Sequence, residues 1–300
     1  MIPPPFREPH MKRQSYSILL FLILFWASHA SAQSMKKKFV GIGLSYGFTN
    51  YLGDLDDNFT FRFIEYGVGL HLQRSLTDQF QIRATLYHGF MQAADSEAQY
   101  TTNYKRNLSF RSNIDEVSVQ ALYRFLPAKK GFQLRTKLTP YAFAGIALFH
   151  FNPQAELNGK WYDLQPLGTE GQQLDGNYPD PYSLWQLSVP FGGGVFIKLS
   201  YSFDLAIELG FRKTFTDYLD DVSTAYPDLE KLHAEKGDVA YELSYRGNKN
   251  GVQDSDISFL HRGNSGSKDL YTYTNINITY YFGIGGGKKG LRGFFRDEGN

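Results

Sequence analysis

From Val40 the chain alternates with a period of two. Val40, Ile42, Leu44, Tyr46 and Phe48 are apolar, whereas Gly41, Gly43, Ser45, Gly47 and Thr49 between them are small or polar. That is a pleated strand with one apolar face. The pattern recurs at Ile64, Tyr66, Val68, Leu70 and Leu72 and again at Phe80, Ile82, Ala84 and Leu86, on either side of a short turn at residues 75–79. These two runs read as a hairpin with both apolar faces on the same side. Further strands are predicted over residues 116–125, 138–149, 185–199, 203–213 and 271–282, which brings the count to eight. Residues 141–146 are apolar on both faces and fit a buried strand in any fold.

Connection lengths discriminate between architectures. Those after strands two, four and six are short or moderate (residues 75–79, 126–137 and 200–202), while those after strands one, three, five and seven span residues 51–61, 91–111, 150–184 and 214–270. Short and long alternate strictly, as in an up-and-down membrane barrel with both termini on one side. A lipocalin-like or sandwich fold has no reason to segregate loop lengths in this way. Aromatic residues also gather near strand ends on the apolar face, among them Phe48, Phe80, Phe90, Tyr123, Trp185, Phe203 and Phe282, resembling two interfacial girdles. The expected fold is an all-β, eight-stranded antiparallel transmembrane barrel. Its polar face then lines a narrow interior holding Glu65, Arg83, Glu116, Arg124, Asp204, Glu208 and Arg212, which reads as a paired ionic plug because an uncompensated charge there is costly.

The N-terminus reads as an address. Lys12 and Arg13 precede an apolar run at residues 18–27, followed by Ala30, Ser31 and Ala32 in the small-x-small pattern of a cleavage site. The expected organisation is a cleaved signal at 1–32, with a possible true start at Met11, a barrel over 33–283, and a Gly/Lys-rich tail at 284–300. Outer-membrane localisation with both termini periplasmic follows from this reading.

Composition narrows the chemistry. The absence of cysteine removes thiol catalysis, disulfides and a lipid-modified N-terminal cysteine, and a net charge of +1 offers no field for nucleic acid. No cofactor or metal motif stands out. Asp54, Asp56, Asp57 and Asn58 cluster oxygen ligands but lack the glycine and later glutamate of a calcium loop, so they read as turn residues. Asp217, Asp220 and Asp221, with His150, His233 and His261, are the residues from which a rim protease or lipid deacylase could be built. Nothing in the sequence fixes them relative to one another, and the expectation is a non-enzyme. A small-porin or adhesion barrel is a further alternative. Within the polar loop at 150–184, Trp161, Tyr162 and Leu164 are too apolar to be left in water, and Tyr218 and Leu219 stand likewise between acidic residues. These loops are expected to fold over the barrel mouth or bind something. A short helix is predicted at 227–236.

At the loop mouths the chain resembles the PorG-type outer-membrane barrels of gliding, type IX secreting bacteria. The resemblance lies in residues 51–55 (YLGDL), 149–172, 190–200 and 208–223, and so in Tyr51, Gly53, Asp54, Trp161, Tyr162, Asp163, Asp217, Tyr218, Asp220 and Asp221. It implies a non-enzymatic barrel that associates with a periplasmic PorK/PorN-like secretion ring.

Charge placement points the same way. The long loops hold 21 Asp and Glu against 10 Lys and Arg, whereas the segments at the other end are strongly basic. Lys129, Lys130, Arg135, Lys137, Lys288 and Lys289 are therefore candidates for docking on anionic headgroups of the outer-membrane lipid or on an acidic periplasmic protein.

Overall fold

A computed structural model describes residues 38–56, 63–97, 106–127, 135–248 and 252–284. Its strands are β1 (Lys38–Leu52), β2 (Glu65–Ser75), β3 (Phe80–Ala94), β4 (Ser109–Arg124), β5 (Leu138–Phe151), β6 (Gln154–Leu157), β7 (Lys160–Asp163), β8 (Trp185–Lys198), β9 (Phe203–Thr214) and β10 (Leu270–Ile284). Eight of them pair antiparallel in the order β3-β2-β1-β10-β9-β8-β5-β4, and β3 also pairs with β4. The sheet therefore closes on itself and leaves no edge strand. This is the eight-stranded up-and-down barrel that the alternation predicts. The extra hairpin β6–β7 belongs to the long connection after β5 and joins β4 where Gln154 faces Arg111.

The side-chain distribution is inverted relative to a water-soluble barrel. Leu44 lies opposite both Leu70 and Ile278, Leu70 opposite Leu86, and Leu86 opposite Val117, all pointing outward. Leu44 is 66% exposed and Ile146 70%, while the residues alternating with Leu44 along β1 turn inward. A continuous apolar belt around a polar interior is the arrangement that lipid requires, and each barrel strand is paired with two neighbours around the wall. On β5, Tyr141 and Phe143 turn inward and pack with Leu122, Phe196 and Ala206 inside the barrel, which explains why that strand is apolar on both faces.

The interior is filled by ion pairs and aromatic rings. Arg83 meets Glu208 at 2.7 Å, donates to Gln120 Oε1, and lies over the Phe143 ring; Tyr141 donates to the same glutamate at 2.6 Å. Higher up, Arg212 faces Glu116 at 3.4 Å, Tyr271 donates to Glu116 at 2.7 Å, and the rings of Tyr87 and Tyr273 flank the guanidinium. Space is so tight that a Cβ at Gly89 would come within 2.0 Å of the Tyr87 hydroxyl. Arg124 lies over the Phe196 ring at the short-turn end.

Two residues depart from expectation. Arg135, read as a surface docking cation, is buried: it grips Asp204 at 2.7 Å and donates to the carbonyls of Ser200, Tyr201 and Phe203, tying the β8–β9 turn to the interior. A buried carboxylate needs a cationic partner, and the β4–β5 connection supplies it from outside the strands. Glu65, expected in the ionic plug, instead stands half-buried at the top of β2, where Gln92 donates to it at 2.6 Å. Lys137 is exposed, and Lys129, Lys130, Lys288 and Lys289 lie outside the described residues.

The strands also run further than predicted at the long-loop end. β3 and β4 stay paired up to Ala94 and Ser109, inside a stretch read as loop. Their inner faces carry Met91, Ala93 and Phe110, which join Phe149, Phe151 and Tyr271 as the base of a hydrophobic core lying across the barrel mouth. The long connections complete this core as a lid. They contribute Leu55, Leu108, Leu164, Tyr182, Leu219, Val222 and Leu243. The last connection carries helices α1 (Leu229–Lys236), α2 (Asp238–Ser244) and α3 (Asp254–Ile257), of which only the first was predicted. Asp228 caps α1 by accepting from the Lys231 amide, and Leu229, Leu232 and Ala240 pack a small satellite core.

Candidate functional site

The lid brings together segments that are far apart in sequence. Tyr51 at the top of β1 donates to Asp220 at 2.7 Å, and its hydroxyl also lies 3.1 Å from Asp269 Oδ1. A phenol carries one hydrogen, so it can donate to only one of these carboxyls at a time, and the second contact calls for a proton on a carboxyl group. Gly53 is required beside them: a Cβ there would stand 2.0 Å from the Tyr51 hydroxyl and 2.1 Å from Asp269. Asp54 accepts from the Asn264 amide, and Asp217 accepts from the Ser223 hydroxyl at 2.8 Å. Asp54, Asp217, Asp220 and Asp269 form no salt bridge with a basic side chain among the described residues.

Physical chemistry shifts these groups. Burial pushes the Asp217 carboxyl up to about 6. Asp220 is held well above the ordinary carboxylate range by burial and by the charge of Asp54, and Asp269 by burial and the charge of Asp220. Asp221 is also raised by burial, to about 6, although Arg262 opposes the shift.

Two arginines, Arg262 buried and Arg106 half-buried, stitch the rest of the lid. Arg106 chelates Asp95 with both forks, at 2.8 and 2.7 Å, and reaches the backbone carbonyls of Asp54 and Arg262. Arg262 pairs with Glu170 at 3.1 Å and with Asp221 at 3.6 Å. Tyr182 and Thr169 donate to the Asp221 carboxylate, while Glu170 accepts from the amides of Ser223 and Thr224. Tyr218 stacks on Tyr182, with ring centroids 4.6 Å apart, and donates to Glu170. Arg106 thus ties the end of the β3–β4 ladder to the segments of Asp54 and Arg262, and Arg262 ties its own segment to that of Glu170.

The loop-motif residues therefore separate into two groups. Tyr51, Gly53, Asp54, Asp217, Tyr218, Asp220 and Asp221 converge on the lid. Trp161, Tyr162 and Asp163 belong to the β6–β7 hairpin beside it, where the Arg111 guanidinium lies 3.5 Å from the Trp161 ring centroid and Asp163 accepts from Asn152 and Gln154. The possible rim enzyme finds no assembly: His150 lies against Trp185, His233 is bonded to Asp238, and His261 lines a cleft. Among the described residues none of the three histidines bonds to Asp217, Asp220 or Asp221, and no group of three acidic or histidine side chains is placed to hold a metal ion. Arg106, Glu170, Arg262 and Asp269 were missed by sequence reasoning because isolated charges in irregular loops carry no periodic signal.

The chain belongs to the family described as Domain of unknown function (DUF6089), which matches residues 14–239. No curated protein matches it. Among solved structures it is similar to Ail, the attachment invasion locus protein of Yersinia pestis, with 8% identity and a TM-score of 0.37 over 82% of this chain and 99% of that one. It is similar to Neisserial surface protein A, with 8% identity and a TM-score of 0.38 over 81% and 96%. A major outer membrane protein from Thermus thermophilus gives 14% identity and 0.38 over 82% and 99%. At such scores the fold assignment rests on the strand pairing of this chain itself.

Proposed function

We propose that this member of the DUF6089 family is a non-enzymatic outer-membrane barrel that serves as an assembly component of a protein-secretion apparatus of the type IX kind, docked on its periplasmic ring. The observation that carries the reading is the filled barrel: the Arg83–Glu208, Arg212–Glu116 and Arg135–Asp204 pairs occupy an eight-stranded interior, and a packed lid lies across one mouth. A plugged barrel is poorly suited to conducting a solute, which leaves its two end surfaces to do the work. The signal-like pattern at 1–32 and the apolar belt support outer-membrane residence. The resemblance of the loop motifs to PorG-type barrels supports the secretion role, and the basic residues at the short-turn end suit an acidic periplasmic partner. Because Arg135 is committed to Asp204, the docking charge falls to Lys129, Lys130, Lys137, Lys288 and Lys289.

Deletion of the gene, with the surface and secreted proteome as readout, tests the role. Loss of secreted surface proteins is expected, and an unchanged secretome overturns it. Reversing Lys129, Lys130 and Lys137 to Glu should weaken co-purification of the ring, most clearly at low salt where the charges are least screened, while heat-modifiable gel migration stays normal.

A further inference from the structure

The lid contains a cleft of about 740 Å³ that the ion-pair network does not fill, within the range of about 300 to 1,000 Å³ typical of small-molecule sites. Tyr226 and Tyr245 stand in its wall, nearly perpendicular to one another with ring centroids 5.5 Å apart. Asp54, His261 and Asn264 join them, and exposed Ser267 lies at the opening. These polar groups keep hydrogen-bonding capacity in hand. Asp54 uses Oδ2 for the Asn264 amide and leaves Oδ1 available, while the Asn264 side chain accepts from Gly266 and keeps its amide hydrogens. Among the described residues neither the Tyr226 hydroxyl, though Tyr226 is only 6% exposed, nor the His261 ring makes a side-chain hydrogen bond.

An acceptor carboxylate, a donor amide, a hydroxyl and an imidazole beside aromatic rings complement a molecule whose groups both donate and accept and whose other face is C–H. Charge restricts the choice further. Arg106 is neutralised by Asp95, and Arg262 by Glu170 and Asp221, while Lys268, also in the lining, is offset by Asp54 in the wall and by the nearby Asp217. An anion would find no uncompensated cation. An ammonium would leave the amide and hydroxyl donors unused. We propose that the cleft binds a neutral saccharide unit, with Asp54 and Asn264 on its hydroxyls and the tyrosines on its C–H face.

The test uses the full chain refolded in an amine-oxide detergent, which avoids sugar-based detergents. Saturation-transfer NMR and calorimetry would be run with methyl glycosides of glucose, galactose, mannose and N-acetylglucosamine, and with glucuronic acid and glucosamine as charged counterparts. At least one neutral glycoside is expected to bind, with the charged sugars roughly ten-fold weaker, a difference of about 1.4 kcal/mol. Ser267→Trp, which fills the opening from an exposed position, should abolish binding, and Tyr226→Phe should weaken it. Absence of binding by every neutral glycoside, preference for the uronic acid or the amine, or binding that survives in folded Ser267→Trp overturns the proposal. The sugar selectivity of the unmodified chain decides the matter even if a variant fails to refold.

Discussion

The hydroxyl of Tyr51, at the top of β1, donates to the buried carboxylate of Asp220 across 2.7 Å, joining residues 169 positions apart. The bond fastens the long connection after β9 to the barrel rim, and Asp269 shares the same hydroxyl at 3.1 Å. Tyr51→Phe removes the donor but keeps the ring against Phe110. It should cost the lid about 1 to 3 kcal/mol, because two buried carboxyls lose their partner. Faster amide exchange over residues 215–226 with unchanged exchange in the barrel strands is the expected readout. Equal loosening of strands and lid would show that the two are one cooperative unit.

The lid should loosen as pH rises. Asp217 and Asp221 titrate near 6 in the folded lid, above their ordinary range, so the folded form binds more protons than the open form. Stability is therefore greatest below about pH 4 for these two groups, and it declines as pH climbs through about 6. Asp220 and Asp269, raised further, extend the decline upward. Limited proteolysis of the lid should be slower at pH 5 than at pH 8, and Asp217→Asn should flatten that difference.

Inside the barrel, Glu208→Gln leaves the Arg83 guanidinium buried beside a neutral amide and should destabilise by about 3 to 5 kcal/mol. Replacing both partners, as in Arg83→Met with Glu208→Leu, should recover much of that loss. Urea-induced unfolding in lipid vesicles measures both variants. A double variant no more stable than the single one would show that the wider network, and not the pair, carries the energy.

On the outer belt the sign of the effect belongs to lipid. Leu70→Arg, mid-strand and facing outward, should cost about 2 to 4 kcal/mol, whereas the same change at Leu76 in the β2–β3 turn should cost about 0 to 1 kcal/mol. Equal costs at the two positions would contradict a bilayer around the strands.

The barrel was legible in the sequence because a lipid-facing strand declares itself locally. Each alternate side chain meets either acyl chains or the packed interior, so Ile42, Leu44 and Tyr46 announce their side without reference to any distant residue, and the segregated loop lengths order the strands. The ionic plug was legible for the same reason, through charges at inward positions such as Arg83 and Glu208, but its partners were not. Arg135 lies in a turn, where no period says inside or outside, and only the closed sheet shows Asp204 waiting for it. The lid depended on tertiary structure almost entirely. Tyr51, Asp54, Asp220 and Asp269 are drawn together by packing over the barrel mouth, Arg106 and Arg262 are chosen as its ties by the carboxylates that surround them, and neither relationship leaves a pattern along the chain.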